Sequence, residues 1–250
     1  MILQSRRVLP STGVPHGFSL RDPALRDEGN VSLRFGEPEA VFGNRARFLA
    51  EIGLDSQRIA LARQVHGSEI FRIGDSNEVP DDMRDPKALP RADGLVTGVA
   101  SVPVGVLVAD CCCLLMASSD GRAVGAFHAG WRGTFEGLAA KAVEAFREEF
   151  SMPANRLRVW IGPAICGECY ETGEDLWTQF RERWGEDWVL SNPYRVDLRG
   201  LNRSQLIQAG VPSEAIELSG LCTLESSLCF SHRRRDRPEG RMVGAIACRQ

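Results

Sequence analysis

The stretch "VADCCCLLMA", Val108 to Ala117, sets one aspartate and three consecutive cysteines inside an apolar run that reads as a buried strand. A second apolar segment ends on a histidine, in "FHAGWRG", Phe127 to Gly133. The chain holds only four histidines, His16, His66, His128 and His232, each with glycine or arginine nearby. His66 in "RQVHGSE" and His128 stand where a strand meets a glycine-containing turn, a place from which a side chain can point into a cleft. Two imidazoles and one thiolate drawn from separate elements would form a three-ligand zinc site with an open fourth position, the form of a catalytic zinc. A fourth protein ligand, for which His16 and His232 are the candidates, would make it a structural site in a binding module without a reaction. The same residues also suit a metal-free cysteine hydrolase, with Cys111 as nucleophile and His128 as base.

Strand alternation puts Cys111 and Cys113 on one face and Asp110 and Cys112 on the other. It does not choose between Cys111 and Cys113. Asp110 has three readings: it orients a ligand histidine, serves as a general base, or closes the strand. "CGEC", Cys166 to Cys169, has zinc-ribbon or redox spacing, but Cys222 and Cys229 lie seven apart and supply no matching pair, so no second metal site is expected there.

The elements that must position these residues are mixed. Strands are expected within "RIALARQVHGSEIFRI", "GLVTGVASVPVGVLVADCCCLLMA", "AVGAFHA", "LRVWIGP" and "RMVGAIAC", where β-branched residues cluster between glycines and prolines. The spacing of Phe135, Leu138, Ala142, Ala145 and Phe146 predicts one helix over Gly133 to Phe150. Further helices are expected in "GEDLWTQFRERWG" and in "DLRGLNRSQLIQAGV", the latter stopping at Gly210. Gly74 to Gly94, rich in proline and acids, reads as a surface loop. No regular βαβ alternation appears, which points to an α+β chain with a mixed sheet flanked by helices.

Composition narrows the classes. A chain of 250 residues, 43% hydrophobic and 25% charged, can bury a sizeable core without disulfide staples, so its eight cysteines are expected as thiols or metal ligands. Thirty basic and 33 acidic residues give a formal charge of -3 with no long block of one sign, so no nucleic-acid partner is expected. Neither GxGxxG nor a P-loop motif occurs. The N-terminus lacks the apolar core of a signal peptide and Asp110 interrupts the longest apolar run, so a cytoplasmic protein without membrane contact is expected. The oligomeric state is not fixed by the sequence, and a monomer is the default expectation.

Taken in order, "RQVHG", "ADGLVT", "VADC", "FHAGWRG", "IGPAICGECYETG", "DLRGLNRSQL", "SGLCT" and "FSHRRRD…GRMVGAIA" resemble the family of laccase-like purine nucleoside phosphorylases, also called the multicopper polyphenol oxidoreductase or peptidoglycan editing factor family. The resemblance runs from about Pro15 to Ala247. It implies one domain over 1–250, with mixed β-sheets packed between flanking helices in α/β/β/α layers. It implies zinc held by His66, Cys111 and His128, and so selects Cys111; Cys112 and Cys113 depart from the more usual Leu and Pro. The implied activity is phosphorolysis of adenosine, inosine, guanosine or methylthioadenosine to the base and the sugar 1-phosphate, together with adenosine deamination. The catalytic set would be His66, Cys111, His128 and Asp110. Arg63, Arg132 and Arg233 lie in the three histidine motifs and offer the guanidinium forks that phosphate needs. Arg34, in "SLRFG", stands where relatives commonly carry asparagine, so on the substrate side of the pocket two readings stay open: a change in which nucleoside fits, or a charge brought to an anion. Four histidines cannot furnish a three-copper cluster, so the multicopper name is not literal. A single copper in the His2Cys set, with polyphenol oxidation, is the alternative.

Overall fold

The computed structural model describes residues 1–54, 58–76, 79, 89–100, 102–191 and 193–249. The strands are β1 (Ile2–Leu3), β2 (His16–Ser19), β3 (Ile70–Ile73), β4 (Gly94–Thr97), β5 (Val104–Val108), β6 (Cys112–Ser118), β7 (Val124–Ala129), β8 (Leu157–Ile161), β9 (Val189–Leu190), β10 (Arg195–Val196), β11 (Ile216–Leu218) and β12 (Met242–Ile246). The helices are α1 (Pro38–Glu51), α2 (Trp131–Phe135), α3 (Leu138–Phe150), α4 (Glu174–Trp184) and α5 (Leu198–Gln208).

Two sheets carry the core. One has the order β1-β2-β12-β5 and the other β11-β8-β6-β7-β4-β3, while β9 and β10 form a small ribbon. The larger sheet is mixed: β11 with β8 and β3 with β4 run parallel, and its remaining pairs are antiparallel. The period-two rule assigns its faces. Along β6, Cys113, Leu115 and Ala117 enter the core between the sheets, where they meet Val104, Val106 and Val108 of β5. Cys112, Leu114 and Met116 enter the opposite core, against Leu138, Ala142 and Phe146 of α3, Phe180 of α4 and Leu201 of α5. On the outer face of the smaller sheet, Val243 and Ala245 of β12 pack with Phe48, Leu49 and Ile52. The result is the α/β/β/α stack that the family resemblance implies.

Three departures from the sequence expectation have local causes. The helix expected from Gly133 to Phe150 is two helices, because Gly137 takes φ +81° and α3 begins only at Leu138. Helix α1 was not expected, since Arg45 sits at a core position of its apolar face, buried, with Nε donating to the Val31 carbonyl at 2.8 Å. Strand β2 is buried on both faces, yet its "HGFS" includes a single apolar side chain and leaves no apolar run to read. Of the loop expected from Gly74 to Gly94, residues 77, 78 and 80–88 lie outside the described residues, and Gly94 already belongs to β4. No helix among the described residues is long and apolar enough to cross a membrane.

Candidate metal centre

Each candidate ligand is placed by a different local constraint. His128 lies in β7, buried, opposite Cys113 in the register with β6. Cys111 precedes β6, and Asp110 before it takes φ +88°, so the chain turns there before the strand starts. Left-handed backbone is unfavourable for a non-glycine residue and persists only where the surroundings hold it. Here the Asp110 carboxylate accepts from the Thr223 hydroxyl at 2.6 Å and from the Arg233 backbone N–H at 2.7 Å, and its carbonyl accepts from the Ile165 N–H at 2.9 Å. His66 is left-handed too, at φ +61°. The N–H groups of Val65, His66 and Gly67 all donate to the Asp93 carboxylate, at 3.1, 3.0 and 2.7 Å.

Asp93 therefore holds the backbone turn of His66 and the ring of His128. Its fully buried carboxylate also accepts the His128 Nδ1 hydrogen bond at 2.8 Å, and since a carboxylate only accepts, Nδ1 carries the proton and Nε2 is turned to the thiol. The His66 and His128 rings meet edge to face, centroids 4.8 Å apart. One ligand atom each from His66, Cys111 and His128 lies within 4.8 Å of the others. Gly130 keeps the space open: a Cβ there would stand 3.1 Å from the His66 ring and 3.2 Å from the Cys111 sulfur.

Charge follows from this packing. Burial opposes ionisation of Cys111, but the adjacent His128 and His66 outweigh it and bring the thiol down to about 6. For His128, burial works against the charged ring, yet Cys111 and Asp93 raise it to about 9. Burial would raise Asp93; the His128 hydrogen bond and the backbone donors hold it below the ordinary carboxylate range. Cys112 and Cys113, by contrast, are driven upward by burial and stay neutral.

The arginines separate into two groups. Arg233 lies over the Tyr170 ring at 5.3 Å, and Tyr170 is pushed up to about 12 by burial and by the Cys111 charge. Arg241 and Arg34 both stack on Phe35, at 4.3 and 5.3 Å, and Arg241, lowered by burial, also feels Cys111 and Asp110. Arg132 is exposed and lies over the Trp131 ring at 4.6 Å, and Arg63 is exposed beside Arg91. His16 is buried elsewhere, with Nδ1 2.9 Å from the Val14 carbonyl and its ring edge-on to Trp160, and His232 is exposed. Neither joins the ligand group among the described residues. Sequence reasoning passed over Asp93, Tyr170 and Arg241. Asp93 left a signal, an acid set directly before the all-buried strand "GLVT".

The chain as a whole has known counterparts. Residues 16–249 match the family model described as multi-copper polyphenol oxidoreductase laccase. A purine nucleoside phosphorylase of Deinococcus radiodurans is 34% identical over 243 residues, covering 95% of this chain and 90% of that protein. A protein named adenosine deaminase RL5, from an unknown prokaryotic organism, is 31% identical over 213 residues, covering 82% and 81%. Among solved structures, that of YlmD from Geobacillus stearothermophilus superposes with TM-score 0.86 at 29% identity, over 100% of this chain and 99% of that one.

Proposed function

The chain belongs to the multi-copper polyphenol oxidoreductase laccase family, and from that premise we propose that it is a zinc-dependent purine nucleoside phosphorylase with adenosine deaminase activity. The observation that carries the reading is a His2Cys cluster with no fourth protein ligand among the described residues, in which one buried carboxylate holds the His128 ring and the backbone of the turn bearing His66. That is the donor set of a catalytic zinc, in which carboxylate-histidine pairs set ring orientation and basicity. When bound, the ion would supply Lewis acidity toward a substrate oxygen or a water at neutral pH.

The protein's own groups do the rest. Asp93 holds His128 with Nε2 inward and fixes the His66 turn. Arg241, which feels the Cys111 charge, and Arg233, which lies over Tyr170 beside the cluster, would meet the phosphate and the charge that develops on the departing base. Tyr170, held protonated at neutral pH, can donate from its hydroxyl. Both carboxylate oxygens of Asp110 are already engaged, so its role is to position the segment bearing Arg233 rather than to move a proton. Arg34 acts on the pocket rim through the Phe35 ring it shares with Arg241. The purine nucleosides are adenosine, inosine, guanosine and methylthioadenosine. Copper with polyphenol oxidation remains the alternative for the same three ligands; with His16 in the core, the histidines left over are too few for a three-copper cluster.

One observation favours a second reading. Asp93, His128 and Cys111 stand as orienter, base and nucleophile of a cysteine hydrolase, with the thiol already lowered to about 6. His66 tips the balance, because a second imidazole against the same sulfur has no task in that mechanism. The test is a nucleoside screen with and without phosphate on metal-replete protein. Base release that requires phosphate and yields a sugar 1-phosphate supports the proposal. Release of free sugar without phosphate, or no release from any purine nucleoside, contradicts it.

A further inference from the structure

A second group of ligating side chains lies apart from the first. Cys166, Cys169, Cys222 and Glu225 each offer one ligand atom, all within 4.8 Å of one another, and all three cysteines are free thiols. The sequence reading sought a second Cys-x-x-Cys pair and, finding Cys222 and Cys229 too far apart, expected no site. The fold supplies the missing half differently: Cys222 and Glu225 repeat the two-residue spacing of Cys166 and Cys169. Both halves are tight turns. The Cys169 and Tyr170 N–H groups donate to the Cys166 carbonyl, each at 3.0 Å, and the Ser226 N–H donates to the Cys222 carbonyl at 3.0 Å. A parallel bridge between Ala164 and Cys222 sets the turns side by side. The Cys166 N–H donates to the Cys222 sulfur at 3.4 Å, which ties the two turns together.

We infer that Cys166, Cys169, Cys222 and Glu225 form a second, structural site for a thiolate-seeking divalent cation of the zinc type. Ligand atoms on a tetrahedral zinc stand about 3.8 Å apart at bond lengths near 2.3 Å, so a modest contraction of this cluster closes it. Four protein ligands leave no open position, the mark of a structural ion. The ion would fasten the turn that carries Tyr170, which stacks on Arg233, to the turn that carries Thr223, which bonds Asp110. The Arg234 guanidinium already clamps the second turn, donating to the carbonyls of Thr223, Leu224, Ser226 and Cys229. This site does not depend on the first being a zinc enzyme.

The experiment measures zinc per chain in full-length protein purified under reducing conditions, for wild type, Cys169→Ser, Glu225→Gln and His128→Ala. Cys169 is half-buried and Glu225 exposed, so neither change empties the core. Wild type should hold a zinc that Cys169→Ser loses and His128→Ala keeps, with Glu225→Gln weakening it against a chelator. Cobalt(II) placed there should show charge-transfer absorption of three thiolates, still present in His128→Ala. Zinc content unchanged in Cys169→Ser would overturn the inference. So would reduced wild type that takes up no zinc or cobalt beyond what His128→Ala removes, or whose only product at this cluster is a Cys166–Cys169 disulfide on oxidation. If zinc disappears in Cys169→Ser alone, this site stands and the proposed catalytic zinc fails.

Discussion

At the residue scale the account turns on Asp93 and Cys111. Asp93 joins three backbone donors to the His128 ring, so Asp93→Asn keeps the shape but sets an NH2 donor against either the His128 ring and His66 N–H or the Val65 and Gly67 N–H groups. Loss of such an outer partner typically weakens metal binding by about 10- to 100-fold. A chelator-competition titration should show that drop for the ion bound by His66, with nucleoside turnover falling in step. Cys111 gives a pH test. Its thiol is lowered from 9.0 to about 6 in the metal-free site, so the thiolate exists above that pH and is lost as pH falls through it. Alkylation of stripped protein by iodoacetamide should therefore rise with a midpoint near 6 and map to Cys111, while Cys112 and Cys113 stay unmodified. A midpoint near 9 would mean that the histidines do not face the sulfur. The three cysteines differ likewise in their mutants: Cys111→Ala should abolish turnover, and Cys112→Ala and Cys113→Ala should retain most of it.

At the element scale the His66 turn and α2 are packed against each other without a spare atom. A Cβ on Gly133 would lie 2.6 Å from the Gly67 carbonyl oxygen, a backbone contact with nowhere to go. Gly133→Ala should displace the turn that carries His66 at a cost of about 1–3 kcal/mol, typical of overpacking. The expected signature is a fall in metal affinity and kcat larger than the fall in Tm. How much of this was legible beforehand depends on which rule each element obeys. Strand β6 could be read from "CCLLMAS", a continuous apolar run of the kind buried on both faces. Helix α1 could not, because its core position is an arginine satisfied by the distant Val31 carbonyl, and β2 could not, because its four buried residues, "HGFS", include a single apolar side chain. The three residues that meet in the cluster were legible as motifs, but the carboxylate that holds His128 was not, since Asp93 reaches His128 only through the register of β4 with β7. The Cys166 turn found its partner only through the bridge to Cys222, a contact 56 residues away in sequence.

At the scale of the whole molecule, two sheets bury one core between them and each turns its other face to helices, while the candidate cluster draws on the end of β7 and the turns before β3 and β6. The loop bonded to Asp110 is held by a polar network. Arg234, its side chain 28% exposed, donates to four carbonyls and to Asp236, so Arg234→Ala leaves several acceptors unmet. Charge-assisted hydrogen bonds are worth about 1.5–3 kcal/mol each, though not additively, so a net loss of about 3 kcal/mol and a Tm lower by roughly 6–12 °C are expected by calorimetry. Phosphorolysis should weaken as well, because the same loop carries Thr223 to Asp110. The central claim is that nucleoside cleavage runs through an ion held by His66, Cys111 and His128. It is tested most directly by stripping the protein with a chelator, adding zinc back in steps, and following phosphate-dependent release of hypoxanthine from inosine in wild type and His66→Ala. The account predicts that stripped wild type is inactive, that activity returns in proportion to bound zinc, and that His66→Ala recovers little at any zinc level. Full turnover by metal-free protein, unchanged in His66→Ala, would contradict it.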